Sequence, residues 1–287
     1  MLLLSSLATL AGLAILCHFV SLLAPITLLG GAIAIVARSC RSPRTRIVHD
    51  FFPVIAIIVI YELLGPIIPV VNPARWDGTF AALDARLFGQ LPSVWFGALG
   101  RPAWLTDLAS VAYVLYYLLP VVLGVRLYAG DRDEFHAFAF AIVAAFLVSY
   151  AGYLLFPTLG PRSPGDSVLG GGAVTRGVLG FVRTVEGNPL DAFPSGHVAI
   201  ALVCVGRGWQ LFPRWRAPLA LVLAGIGFST VYLSYHYVID VVAGVALGTA
   251  LLVVLQRGRE SPSAARRRGT VIDQPAAALF SDRSGTR

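Results

Sequence analysis

Residues 218–255 read PLALVLAGIGFSTVYLSYHYVIDVVAGVALGTALLVVL, which is two long apolar runs on either side of a polar turn at 235–237. The hydrocarbon core of a bilayer is about 30 Å thick, and a helix needs roughly 20 mostly apolar residues to cross it. Each of the two runs approaches that length. The stretch therefore predicts two consecutive membrane-spanning helices joined by a short turn.

Runs of the same kind recur along the whole chain. Comparable apolar segments lie at 2–37, 51–71, 107–125, 137–156 and 194–212. Hydrophobic residues make up 57% of the 287 positions and charged residues only 13%, which excludes an ordinary soluble domain. We predict an all-α, polytopic membrane helix bundle. Its six-helix core follows one N-terminal transmembrane helix, or two if Pro25 and the Gly30-Gly31 pair turn the first run into a hairpin.

The basic residues indicate how these helices are oriented. All 22 are arginines, and 16 of them lie in the C-terminal tail and in the connections 38–50, 126–136 and 206–217. The positive-inside rule places those segments in the cytoplasm. We therefore expect an integral protein of the plasma (inner) membrane with a cytoplasmic C-terminus. Because the arginines form no single basic face, nucleic acid is not an expected partner.

The chain divides into three predicted parts. Residues 1–50 hold an N-terminal membrane segment and a cytoplasmic Arg-rich loop, residues 51–256 the membrane core, and residues 257–287 a disordered cytoplasmic tail. Two outer connections are long. In 72–106, Phe80, Leu83, Leu87 and Leu91 recur at helical spacing, which is typical of an interfacial helix but also compatible with a surface loop. The Gly- and Pro-rich segment 157–193 is expected to be a flexible loop.

Two histidines lie where the outer connections meet the membrane. His197 ends the sequence Asp191-Ala192-Phe193-Pro194-Ser195-Gly196-His197, and His236 lies in the turn between the last two spans. In a helix, Asp240 stands one turn from His236 on the same face. A carboxylate there can hold the proton of one ring nitrogen and leave the other nitrogen free as a base or nucleophile. An ionisable residue inside an apolar run is functional by default.

Several other residues are suited to binding an anion beside these histidines. Ser195 and Gly196 follow Pro194 at a helix start, whose free amides and positive dipole end favour negative charge. Arg162 ends the span 137–156 on the same side, and arginine binds phosphate in a bidentate manner. The combination predicts a phosphoryl-transfer site that uses neither a metal nor a cofactor.

At these residues the sequence resembles the type 2 phosphatidic acid phosphatase and vanadium haloperoxidase superfamily. The family patterns Pro-Ser-Gly-His and His-x-x-x-Asp stand here at 194–197 and 236–240, and the resemblance extends over about 51–255. It implies that His236 attacks phosphorus to form a phosphohistidine, that Asp240 orients His236, and that His197 protonates the leaving oxygen.

The chain departs from the phosphatase pattern in two places. It contains no lysine, which the phosphatase first motif requires, and Ser229-Thr230 stands where the third motif usually has Ser-Arg. Arg162 remains as the expected phosphate ligand, with Arg183 or Arg176 as possible substitutes. The patterns Phe-Pro-x-x-Gly-Pro-Arg and Tyr-His-Tyr-x-x-Asp are more similar to the inositol-phosphorylceramide synthase (inositolphosphotransferase) branch.

These features predict a membrane enzyme that acts on a lipid phosphate at the outer face, as a metal-independent lipid phosphatase or a head-group phosphotransferase. The acceptor is water or a polyol. The alternative is a non-catalytic transport or assembly protein on the same fold. The sequence leaves two smaller questions open. The first is whether the side chains of Tyr113, Tyr116 and Tyr117 line a head-group pocket or only pack the bundle. The second is whether Asn188 and Asp191 contact substrate or only cap a loop.

Overall fold

The computed structural model describes residues 43–161 and 171–260, and these residues form helices and connections with no β-strand. The helices are α1 (Pro43–Val71), α2 (Asp77–Phe88), α3 (Pro92–Ala98), α4 (Ala103–Gly130), α5 (Arg132–Leu155), α6 (Ala173–Val185), α7 (Gly196–Leu211), α8 (Arg216–Tyr232) and α9 (Val238–Glu260). The predicted all-α architecture is confirmed for this part of the chain. The expected span at 2–37 and the expected tail beyond 260 lie outside it.

Five of these helices are long and apolar enough to cross a bilayer, namely α1, α4, α5, α8 and α9. They confirm a polytopic membrane protein. Two of them are longer than the predicted spans: α1 begins at Pro43 rather than 51, and α9 continues to Glu260 rather than 255. Proline fits the first turn of a helix, where its missing amide proton is not needed.

The predicted span 194–212 forms α7, which has only 16 residues and is about 24 Å long. It is nevertheless the central helix, because it packs against α4, α5, α8 and α9. Ala199, Ile200, Val203 and Cys204 are completely buried on it. These four helices surround α7, so His197 in its first turn is held inside the bundle.

Small residues bring α7 and α9 into very close contact. A Cβ atom on Gly244 would lie 2.5 Å from the carbonyl oxygen of Ser195, and one on Gly248 would lie 2.8 Å from that of Ala199. The backbone amide of Ser195 also donates to the carbonyl oxygen of Asp240 at 3.0 Å. Such close approach is typical of membrane helices with glycine at the interface. It fixes the segments that carry His197 and Asp240 against each other.

The predicted helix in 72–106 is present as α2, followed by the short α3. Two aspartates of α2 hold neighbouring segments at one end of the bundle by hydrogen bonds to their backbone amides. Asp77 accepts hydrogen bonds from the amides of Leu159 and Gly160 at 2.9 and 3.2 Å. Asp84, which is only 1% exposed, accepts from the amides of Val238 and Ile239 at 2.7 and 3.2 Å, and so caps α9.

The expectation of a flexible loop over 157–193 is wrong between Ala173 and Val185, where α6 forms. The reason is a capping residue from another helix. Asp107 on α4 accepts from the amides of Gly172 and Thr175, both at 2.9 Å, and also from the Thr175 hydroxyl. A carboxylate at a helix N-terminus satisfies free amides and complements the helix dipole. The sequence around α6 gives no indication of this distant partner.

Candidate active site

His197 and His236 lie together inside the bundle. The Nδ1 atom of His197 is 3.2 Å from the Nε2 atom of His236, and the residues are 9% and 2% exposed. His197 lies in the first turn of α7, where the Ser195 hydroxyl oxygen caps the helix by accepting from the amide of Val198 at 3.4 Å. His236 lies in the turn between α8 and α9. The two residues predicted as acid and nucleophile are therefore neighbours.

The partner of the other His236 nitrogen determines which nitrogen carries the proton. The Nδ1 atom is 2.8 Å from the carbonyl oxygen of Ala192. A carbonyl oxygen only accepts hydrogen bonds, so Nδ1 carries the proton. The Nε2 atom then has a free lone pair, and this lone pair faces His197.

Asp240 contributes charge beside the same ring. Its Oδ2 atom lies 3.6 Å from His236 Nδ1, too far for a direct hydrogen bond, and accepts from the amide of Tyr237 at 2.8 Å. The side chain is completely buried. Backbone bonding at Ala192 thus orients the imidazole, while the carboxylate is placed to stabilise positive charge on it.

Glu186 is a candidate functional residue that sequence reasoning missed. It follows α6 directly, and its Oε1 atom lies 3.2 Å from the Nε2 atom of His197. The same oxygen accepts from the Tyr113 hydroxyl at 2.8 Å and from the Tyr117 hydroxyl. Burial raises the pKa of the Glu186 carboxyl, but hydrogen bonds and the charge of His197 outweigh it, so that this pKa is lowered overall. Glu186 is accordingly a carboxylate.

These contacts form a continuous chain across the two rings. The Glu186 Oε1 atom accepts from two hydroxyls and from His197 Nε2, so that nitrogen carries a proton. The contact between His197 Nδ1 and His236 Nε2 holds one further proton, which either ring can carry. When this proton lies on His197, the ring is an imidazolium held by Glu186, with one N–H directed at the lone pair of His236. In that form the pair can act as a general acid beside a nucleophile.

The three tyrosines surround His197, so they line the site as well as packing the bundle. The ring centroids of Tyr113 and Tyr116 are 4.6 and 4.3 Å from that of His197. Tyr117 contacts the same imidazole edge-on, with centroids 6.4 Å apart. Tyr116 and Tyr117 also line the cavity beside His197, whereas Tyr113 is completely buried.

The two polar loop residues before the second motif have different environments. The Asn188 side-chain oxygen accepts from the amide of Leu190 at 3.0 Å, as loop capping requires. Asp191 instead accepts from the Tyr61 hydroxyl at 2.7 Å and lines the cavity that contains His197 and Glu186. Burial and the neighbouring Glu186 carboxylate raise the pKa of Asp191 to about 7.

The predicted phosphate ligands are only partly described. Arg162 lies outside the described residues. Arg183 is exposed on α6 and forms no hydrogen bond or ion pair within residues 43–161 and 171–260. Gly196 lies at the start of α7, where a Cβ atom would be 2.8 Å from the Tyr153 hydroxyl. Within the same residues, no group of three His, Cys, Asp or Glu side chains is arranged to hold a metal ion.

The sequence is similar to known proteins and to one family model. A phosphoinositol dihydroceramide synthase of Bacteroides thetaiotaomicron is 28% identical over 204 residues, which cover 61% of this chain and 65% of that protein. A PA-phosphatase related-family protein of Dictyostelium discoideum is 27% identical over 128 residues, which cover 42% of this chain and 23% of that protein. The chain thus spans less than two thirds of the length of either relative, and no solved structure matches it. The family model described as PAP2 superfamily matches residues 78–254, and the chain therefore belongs to that superfamily.

Proposed function

We propose that this protein is an integral membrane enzyme that cleaves a lipid phosphoester through a phosphohistidine on His236. The observation that carries the proposal is the 3.2 Å contact between His197 Nδ1 and His236 Nε2. Because Ala192 holds the proton of His236 on Nδ1, the nitrogen that faces His197 is the nucleophilic one. Phosphorus would enter between the two rings.

In the first step, the Nε2 lone pair of His236 attacks phosphorus and a P–N bond forms. The P–O bond to the departing lipid alcohol breaks, and the proton on His197 Nδ1 moves to that oxygen. His236 becomes positively charged as it takes the phosphoryl group, and the buried Asp240 carboxylate stabilises this charge. Glu186 holds His197 by its opposite nitrogen, so that its acidic proton stays directed at the reacting centre.

In the second step, neutral His197 takes the proton of an incoming hydroxyl. That oxygen attacks phosphorus, the P–N bond breaks, and His236 is regenerated. Water as the acceptor gives a phosphatase and an alcohol gives a transferase. The Bacteroides relative is named as a synthase of phosphoinositol dihydroceramide, so we propose transfer of phosphoinositol between lipid hydroxyls as the leading reaction here. The deep burial of His236 supports transfer, because it limits the access of water.

We also propose that the site faces the outer side of the membrane. His197 begins α7, and Arg207 and Arg214 lie at or just beyond the other end of that helix. The Arg-rich connections thus lie at the end of the bundle opposite the site. The positive-inside rule assigns that end to the cytoplasm.

The decisive experiment incubates the purified, full-length protein with phosphatidic acid, with phosphatidylinositol, and with phosphatidylinositol plus dihydroceramide or free inositol. A new phosphodiester lipid identifies a transferase, and free phosphate or free inositol phosphate identifies a hydrolase. We expect the former, and we expect no product from His236→Ala. Full turnover by His236→Ala would overturn the phosphohistidine proposal.

A non-catalytic transport or assembly protein is the second candidate, because the chain lacks the lysine and the third-motif arginine of the phosphatase pattern. Binding of vanadate, which mimics a phosphate group, distinguishes an enzyme from a non-catalytic protein. An enzyme should bind vanadate in the wild type and lose that binding in His236→Ala. A wild type that binds no vanadate and turns over no lipid would favour the second candidate.

A further inference from the structure

A cavity of about 420 Å³ extends from the candidate site towards the opposite end of the bundle. Ligand pockets of drug-sized molecules have roughly 300–1,000 Å³, so the volume is sufficient for part of a lipid. Helices α1 and α4 form its two sides, and α5, against which both of them pack, forms its back. We name this cavity the α1–α4 slot.

The slot is polar at one end and apolar along its length. Glu186, Asp191 and His197 line the end at the site. From there the lining becomes aliphatic and aromatic, with Ile57, Val121, Ile142 and Phe146 among its residues. A molecule that fits both parts carries a polar group at the histidines and a hydrocarbon segment below it.

Within residues 43–161 and 171–260, the slot is open towards the membrane on one side. Ile58 on α1 and Val121 and Val125 on α4 line it and are 58%, 59% and 56% exposed. A hydrocarbon chain of the surrounding bilayer therefore has a lateral route into the slot, and its polar group does not need to cross the apolar core.

The far end of the slot is lined by Phe51 and Phe135, and the ring of Tyr128 packs on both; we name these three residues the aromatic floor. The ring centroids of Phe51 are 5.0 Å from Tyr128 and 5.1 Å from Phe135. Immediately beyond lie charged groups, because Arg132 stacks on Tyr128 at 4.6 Å and also lies 3.7 Å from Asp50. A hydrocarbon chain gains nothing from entering this charged region, so the floor limits how far the chain extends.

The slot is long enough to hold a hydrocarbon chain. On α1 the lining extends from Tyr61, bonded to Asp191, to Phe51, which is ten residues or about 15 Å of helix. We propose that the α1–α4 slot holds one hydrocarbon chain of the lipid phosphate and that Phe51, Tyr128 and Phe135 limit its length. This inference rests on the proposed function for the position of the phosphate.

Photochemical labelling tests the slot without requiring turnover. The probes are phosphatidic acids whose one acyl chain has 8, 12 or 16 carbons and ends in a diazirine, added to the full chain in detergent micelles. We expect the shortest chain to label residues near Tyr61 and Tyr150, and the longest to label the aromatic floor. Labelling confined to membrane-facing residues such as Leu221, whatever the chain length, would overturn the proposal.

Two glycine variants provide a matched comparison. A Cβ atom on Gly124 in the slot would lie 3.7 Å from the Phe138 ring, and one on Gly227 on α8 would have open space around it. Gly124→Leu should lower labelling of the floor by the 16-carbon probe about tenfold, because two or so buried methylene groups are displaced. It should leave labelling by the 8-carbon probe unchanged. Gly227→Leu should change neither.

Should Gly124→Leu fail to fold, Val121→Phe narrows the same slot from an exposed position and should give the same selective loss. The results distinguish failure of the slot proposal from failure of the proposed enzymatic function. Labelling of the floor residues without lipid turnover would support the slot and contradict the enzymatic function. Turnover with length-independent labelling, or equal effects of Gly124→Leu and Gly227→Leu, would reject the slot and retain the enzyme.

Discussion

The Oε1 atom of Glu186 lies 3.2 Å from the Nε2 atom of His197, while Nδ1 of the same ring faces His236. The carboxylate therefore stands behind the proposed acid. We predict that Glu186→Gln keeps the fold but lowers kcat about a hundredfold, since general acid catalysis contributes roughly 10²–10⁴. KM should change little. Lipid turnover and the pH profile of kcat are the measurements.

The control for this variant is Asp133→Asn, which neutralises an exposed carboxylate in the first turn of α5, at the other end of the bundle. It should keep wild-type turnover. A purely structural role for Glu186 would appear as a lower thermal midpoint with an unchanged pH profile. A Glu186→Gln variant with wild-type kcat would remove Glu186 from the mechanism.

A second prediction concerns stability and pH. Burial and Glu186 raise the pKa of the Asp191 carboxyl from an ordinary value of 3.8 to about 7, so the native state binds this proton more tightly than the unfolded chain. Asp191 therefore lowers stability progressively as pH rises from about 4 to about 7. Asp191→Asn stays neutral and keeps an acceptor for the Tyr61 hydroxyl.

The thermal midpoint of Asp191→Asn, relative to the wild type, should accordingly rise over that pH interval and remain constant above it. Midpoints measured in one detergent between pH 4.5 and 8 test this. Two parallel curves would show that Asp191 titrates at its ordinary value. When Glu186→Gln is present in both proteins, the upper end of this pH interval should move to lower pH, because one cause of the raised pKa of Asp191 is removed.

A third prediction is that the residue capping α9 affects both stability and turnover, whereas the residue capping α5 affects stability alone. Asp84 caps α9 next to His236, and Asp131 caps α5 at the opposite end by accepting from the amides of Asp133 and Glu134. Each substitution by Ala should lower the free energy of unfolding by about 0.5–2 kcal/mol. Only Asp84→Ala should also reduce turnover, because only that cap positions the turn that carries His236.

Equal loss of turnover in both cap variants, measured at a temperature where both remain folded, would contradict this assignment. So would an unchanged turnover in Asp84→Ala. Thermal unfolding and lipid turnover on the same preparations provide the comparison.

Much of the fold followed from periodicity and length alone. Runs of apolar residues located α1, α4, α5, α8 and α9, and helical spacing located α2. The motif residues His197, His236 and Asp240 were identified because two short patterns stand at corresponding ends of predicted spans. Local sequence contains enough information for these features, since hydrophobic runs and helix starts depend on neighbouring residues.

The missed features depend on residues that are distant in the chain. Helix α6 is capped by Asp107, 65 positions before Gly172, and Glu186 acquires its role from Tyr113 and Tyr117 on α4. The closure of the α1–α4 slot likewise requires Phe51 and Phe135 from different helices. A single sequence gives the residues but not these pairings. The one available signal for Glu186 was a lone acidic residue five positions before Asp191, in a segment rich in glycine.

The last prediction tests the direction of proton transfer. If His197 protonates the leaving oxygen, its loss should matter most when that oxygen is a poor leaving group. His197→Ala should therefore slow cleavage of a dialkyl phosphate about a thousandfold and cleavage of a nitrophenyl alkyl phosphate only about tenfold. His236→Ala should abolish both, because the nucleophile is needed for either substrate. His136→Ala is the matched control, since His136 is about half exposed, 3.2 Å from Asp50 at the other end of the bundle, and it should change neither rate.

An equal loss across the series in His197→Ala would mean that His197 positions the phosphate instead of donating a proton. The contact between the two histidines would then orient the nucleophile, and the proton would have to come from another group, such as Asp191, whose raised pKa leaves it partly protonated near neutral pH.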